Sequence, residues 1–401
     1  MQNQITFFRK VIDTTSFLNL IITIYESLRM LFGSISTVFL LKSGFAPDHI
    51  AISKGVLSCV ILILDIPLSM LGEAIGHRYL VFFALFFDGI YFILLPEISK
   101  PSSLYLVESL NAISLACMSG SFETILLRSK KKDPSYKSVN VLGRTHQLMY
   151  LFSSLAGFIG GVMASVPEIT CLLSGGGLLA LSLAILPVIM GRNAISDLDF
   201  CKKEKKNGYL KKSFIVRFSL LFKLKINYDS LAQLVLSSAL LSILIQCWQI
   251  LINPLISIEY KPLYGPLFCA ILLAQSFAGK YSMSSSRSCS KSIIAMIFNF
   301  LLITYFCWIK SLVTIPLVLI AFFQVKSVSL KFLGILHDDI LDEDRSKAHS
   351  IHVVFNRLVA AIAFFGISGL VSKNIGLASI PFVLCFISCL ILLFHKRNIS
   401  V

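Results

Sequence analysis

Glu26 and Arg29 stand three residues apart inside 17–41, a stretch that is otherwise almost wholly apolar. That spacing puts both on one helical face, where they could neutralise each other. Ionisable groups inside hydrocarbon cost a few kcal/mol or more, so they face a partner or a cavity. Further acids recur in later apolar stretches: Asp65 in 50–71, Asp88 in 79–95, and Glu108 and Glu123 in 103–127. A carboxylate in a poorly hydrated cavity holds its proton more tightly than in water, and so can take one up and release it. Glu26 and Glu123 are the leading candidates for such proton coupling. The C-terminal stretches offer amides and cations instead: Gln233, Gln246, Gln249, Gln275, Asn299, Gln324, Lys326, Asn356 and Arg357. Gln246 and Gln249 share a face with Asn253 and flank Trp248, a grouping suited to hydrogen bonding and stacking, or equally to bonds between helices. Acids in one half and bases in the other suit a zwitterionic or peptide-like solute.

Other chemistry finds no support. No Gly-x-x-x-x-Gly-Lys-Ser/Thr loop occurs, so no motif points to ATP. No catalytic constellation stands out, and no enzyme activity or cofactor is expected. The ten cysteines include no Cys-x-x-Cys and lie mostly in apolar runs, which reads as small buried hydrophobes without disulfide or metal. The 337–352 segment gathers His337, His352 and several acids, but reads as a solvated loop. Met1 to Thr15 is short and polar, with no sign of a cleaved signal peptide.

The elements that must hold these residues are set by composition. The chain is 56% hydrophobic and 14% charged, with a mean hydropathy of +0.82. A soluble protein carries roughly 25% charged residues, so this one cannot cover a water-facing surface. Helix-length apolar stretches predict spans at about 17–41, 50–71, 79–95, 103–127, 143–166, 169–191, 228–252, 263–281, 291–308, 313–336, 351–371 and 376–394.

With the N-terminus inside, most of the 36 lysines and arginines fall in cytoplasmic segments. The external segments hold one each: Lys42, Lys100, Lys261, Lys310 and Lys373. An all-α membrane protein is therefore expected, with twelve transmembrane helices in two six-helix bundles and both termini cytoplasmic. The bundles are 1–191 and 228–401, joined by a basic cytoplasmic linker, 192–227. Two equal halves around a basic linker is a pattern of transporters built from repeats. The net charge of +15 lies in loops that meet anionic lipid, which argues against nucleic acid as a partner.

The segment from Asp65 through Pro67 to Gly72-Glu73-Ala74-Ile75-Gly76-His77-Arg78 resembles the helix 2–3 signature of the major facilitator superfamily, Gly-x-x-x-Asp-Arg-x-Gly-Arg-Arg after an acidic-Ile-Pro turn. Glu73 matches the acidic position, Gly76 the second glycine and Arg78 the last arginine. Ser69, Ala74 and His77 depart from it. Ser119-Gly120-Ser121-Phe122-Glu123-Thr124-Ile125-Leu126-Leu127 is similar to a helix 4 segment of efflux-type members. Gly143-Arg144 with Gly157, Gly160 and Gly161 resembles their fifth helix, and Leu40 to Phe45 their helix 1–2 turn.

The resemblance implies a conformational latch of Glu73, Gly76 and Arg78 supported by Asp65. It implies a central cavity lined by helices 1 and 4, and a peripheral helix 3 that makes Asp88 structural. The expected activity is a proton-coupled exporter (an antiporter) of a small organic or peptide-like compound, such as a drug, antibiotic or siderophore. It would act as a monomer among membrane lipids, in a bacterial inner membrane by default. An uptake transporter of the same fold, a receptor and a lipid-modifying enzyme are the alternatives.

Overall fold

The computed structural model describes residues 14–130, 138–163, 169–190, 228–252, 255, 263–284, 289–339, 345–371 and 378–399. The 192–227 linker and Asn253 lie outside the described residues, as do the side chains of Glu73 and Glu123.

Twelve α-helices form over the described residues, close to the spans expected. They are α1 (Thr14–Lys42), α2 (Pro47–Ile75), α3 (His77–Leu94), α4 (Pro101–Lys130), α5 (Ser138–Met163) and α6 (Ile169–Met190), then α7 (Tyr228–Ile252), α8 (Tyr264–Ser284), α9 (Cys289–Trp308), α10 (Thr314–Asp339), α11 (Arg345–Leu370) and α12 (Ser379–Ile399). The α2 helix opens on Pro47, where the missing N–H costs no bond, and also keeps Pro67 inside.

Among the described residues, eight helices are long and apolar enough to cross a membrane: α1, α2, α3, α6, α7, α9, α10 and α11. The apolar parts described for α5 and α12, Met149–Met163 and Ser379–His395, are shorter. Glu108, Asn111, Ser114 and Ser119 make the described part of α4 polar. Gln275, Ser276 and Lys280 do the same in α8. The protein is thus a multi-pass membrane protein whose polar side chains concentrate in particular helices. Phe158, Phe277, Phe298, Phe382 and Phe386 are exposed, as suits faces that meet lipid tails rather than water.

The helix contacts repeat. In the first half α1 packs on α5 and α6, α2 on α4, and α3 on α4 and α6. Six helices later α7 packs on α11 and α12, α8 on α10, and α9 on α10 and α12. Two seams join the halves, α2 against α11 and α5 against α8, and the same offset of six turns one into the other.

Small residues let the second seam close. A Cβ added at Gly161 of α5 would overlap the Gly265 backbone of α8, and one at Gly157 would strike Phe268. Small residues commonly mediate such backbone approach in membranes, where no hydrophobic force drives helices together. Gly161→Leu is expected to lower the unfolding midpoint of detergent-purified protein, at the overpacking cost of about 1–3 kcal/mol. Gly366→Leu is the control, because nothing lies within 4 Å of a Cβ there, and it should leave the midpoint unchanged.

Candidate transport site

The charged residues of the first half form one hydrogen-bonded network across four helices. Arg29 of α1 is paired with Asp88 of α3 and donates Nη2 to Asn111 Oδ1 of α4 at 2.7 Å. Asn111 Nδ2 donates to Glu108 Oε2 at 3.0 Å. Glu108 Oε1 accepts the Lys54 ammonium of α2 at 2.6 Å and the Tyr91 hydroxyl at 3.5 Å. Arg29 Nη1 also reaches Tyr25 Oη at 3.3 Å, and Tyr25 is bonded to Ser114 Oγ at 2.8 Å. Ser114 closes the chain by donating to the Ala84 carbonyl of α3.

Helical spacing explains the assembly. Glu108, Asn111 and Ser114 recur every three residues on α4, so one stripe of that helix meets α1, α2 and α3 together. Tyr25 and Arg29, four apart, do the same for α1. Glu108, Asp88 and Tyr25 are fully buried, so each charge depends on its partner rather than on water.

The Glu26–Arg29 pair suggested by their spacing is therefore not the one formed. Arg29 turns to Asp88, because α3 brings a buried carboxylate to its guanidinium. Glu26 is half-buried beside Arg29 and has no hydrogen bond or ion pair among the described residues. Asp88, expected to be structural, sits at the centre of the network.

Lys54 and Tyr91 were not singled out from sequence. The available signal was a lysine four residues inside a predicted span, at the same depth as Glu108 on the neighbouring helix.

The expected latch residues surround the α2–α3 junction. Gly76 ends α2 and precedes α3 at φ 102°, a conformation that L side chains rarely adopt, with its N–H on the Gly72 carbonyl at 2.9 Å. Arg78 donates to Tyr79 Oη at 3.0 Å, its guanidinium 4.6 Å from the centre of that ring. Asp65 accepts the Ser119 hydroxyl of α4.

In the second half, Gln249 donates Nε2 to the Gly33 carbonyl of α1 at 3.4 Å, and Lys326 donates to Tyr150 Oη of α5 at 3.2 Å. Both bonds cross between the halves. Arg357 of α11 also senses charges of the first half, Asp65 and Arg29. Gln246 Oε1, both amide atoms of Gln275, Asn356 Oδ1 and Arg357 Nε are buried with no hydrogen-bond partner among the described residues. Trp248 stacks on Phe268 at 5.4 Å and is buried, so its ring packs protein rather than a solute. Asn299 bonds Gln324 at 3.1 Å, tying α9 to α10. Among the described residues no cluster of three His, Cys, Asp or Glu side chains could hold a metal ion.

At the level of sequence, no protein-family model and no curated protein matches the chain. Solved structures match it by fold. A crystal structure of a point mutant of nucleoside transporter NupG aligns with a TM-score of 0.67 at 12% identity, over 95% of this chain and 99% of that one. A second NupG crystal structure gives 0.64 and 12%, over 96% and 98%. The chain has a transporter fold. Both neighbours are transporters rather than enzymes, and the likeness extends over nearly the whole chain.

The network carries a stability expectation. Lys54→Met leaves the Glu108 carboxylate buried without its cation and should destabilise the purified protein by about 3–5 kcal/mol. The double variant Lys54→Met/Glu108→Leu should recover most of that loss, as read from chemical unfolding in detergent across the mutant cycle.

Proposed function

We propose that the chain is a proton-coupled secondary transporter of the major facilitator superfamily, moving a small polar organic solute inward by alternating access. The observation that carries this reading is the recurrence of helix pairings at an offset of six. It suits two six-helix bundles, 1–191 and 228–401, rocking against each other along the α2–α11 and α5–α8 seams. The concentration of basic residues in alternate loops supports a cytoplasmic side for both termini.

Magnitudes favour rigid halves and a yielding seam. Breaking a buried ion pair costs about 3–5 kcal/mol, and the first bundle holds two such pairs within itself. The described bonds across the seams are fewer-charged: Gln249 to Gly33, Ser276 to Gln147, and Lys326 to a phenol. A neutral hydrogen bond contributes about 1 kcal/mol. The seams therefore open at far lower cost than the network.

The efflux direction suggested by helices 4 and 5 draws nothing from the structural neighbours, and uptake fits them better. The solute is taken to be hydrogen-bonding, because amide atoms of Gln246, Gln275 and Asn356 are buried without a hydrogen-bond partner among the described residues. Nucleosides belong to that class, as do small peptides.

Proton coupling is assigned to Glu26, Glu108 or Glu123. Glu26 stands beside Arg29 without a bond of its own, so it can exchange a proton without breaking the network.

Proteoliposomes bearing an inward proton gradient should accumulate one compound from a panel of nucleosides, dipeptides, siderophores and cationic drugs. Glu26→Gln, Glu108→Gln or Glu123→Gln should abolish gradient-driven accumulation while sparing exchange of solute for solute. Solute movement indifferent to the gradient in wild type would remove proton coupling; outward-only movement would restore efflux.

A further inference from the structure

The two buried lysines of the described spans have opposite surroundings. Lys54 is bonded to the Glu108 carboxylate at 2.6 Å. Lys326, 8% exposed, has only the Tyr150 hydroxyl at 3.2 Å, with its ammonium 5.0 Å from that ring's centre. A phenol and a ring face compensate a buried ammonium less than a carboxylate does.

No acid is available nearby in its own half. From Ser230 to Leu336 the one acidic residue is Glu259, in the segment between α7 and α8, and none occurs from Ser346 to Val401. The neighbouring polar groups can donate instead. Ser329, one helical turn along α10, is bonded to Ser238 of α7 at 3.2 Å, and Ser238 to His352 Nε2 of α11 at 2.9 Å. One face of α10 thus presents a cation, and beside it hydroxyls and an imidazole, facing helices from both halves.

We propose that Lys326, with the Tyr150 hydroxyl and the Ser329–Ser238–His352 cluster, forms an anion-recognition point, so that the transported solute carries a carboxylate or phosphate group. The assignment rests on the transporter reading and narrows its substrate class. A solute oxyanion would supply the countercharge that Lys326 lacks among the described residues, accepting from the ammonium and the phenol together. Because Lys326 and Tyr150 come from opposite halves, such an anion would bridge α10 and α5 and bind best where the two halves meet. The uncharged amides near the seams would then read the rest of the solute.

The test uses full-length protein in proteoliposomes, with paired probes that differ in one charge: a nucleoside against its 5′-monophosphate, and a dipeptide against its C-terminal amide. Saturable uptake of one anionic member over its neutral counterpart is expected, and which pair responds tells phosphate from carboxylate. Lys326→Gln should raise KM for that anion tenfold or more with the maximal rate changed less than threefold. Lys326→Arg should retain most of the affinity, and Tyr150→Phe should raise KM several-fold. Both conservative variants keep the proposal testable if Lys326→Gln does not fold, as judged by gel filtration.

Equal or better uptake of the neutral members overturns anion recognition and leaves the transporter reading standing. Movement of no probe counts against both.

Discussion

A charge inside hydrocarbon must find its counterpart within the protein, and the first half is arranged around that requirement. Arg29 with Asp88 and Lys54 with Glu108 are two such pairs, linked through Asn111 into one chain of bonds. Every helix from α1 to α4 contributes to it. The price is a helix, α4, with a polar stripe inside the membrane. Its stripe of Glu108, Asn111 and Ser114 is stable only because three neighbouring helices cover it.

The second half meets the same requirement differently. It is poor in acids within its spans, and those of its buried polar groups that have described partners pair with hydroxyls, amides and carbonyls, or reach across the seam. The halves share one scheme of helix packing but not one electrostatic character. Packing is repeated because helix shape and small residues such as Gly161 and Gly265 govern it. Charge is free to diverge wherever a seam or cavity lies.

The agreement with NupG at 12% identity follows from the same physics. In a bilayer a fold needs apolar spans of the right length, turns at their ends and small residues where helices cross. Many sequences meet those conditions, so fold outlasts recognisable sequence. The α2–α3 junction shows what remains legible: Gly76 is held at φ 102°, where few other residues fit, while flanking positions of the signature have drifted to Ser69, Ala74 and His77.

The order and extent of the twelve helices were readable from the sequence, because backbone groups in lipid leave a long apolar segment little choice but a helix. So was the presence of costly ionisable residues within them. Which of those residues meet was not readable. Spacing along α1 pairs Glu26 with Arg29, yet Arg29 bonds Asp88, because a carboxylate on a packed neighbour competes with one on its own helix. Lys54 finds its carboxylate only because α2 lies against α4. Local periodicity tells which face a side chain occupies. Only the packing of helices distant in sequence decides what that face touches, and in a low-dielectric interior that contact determines whether a charge is locked in place or left to bind something else.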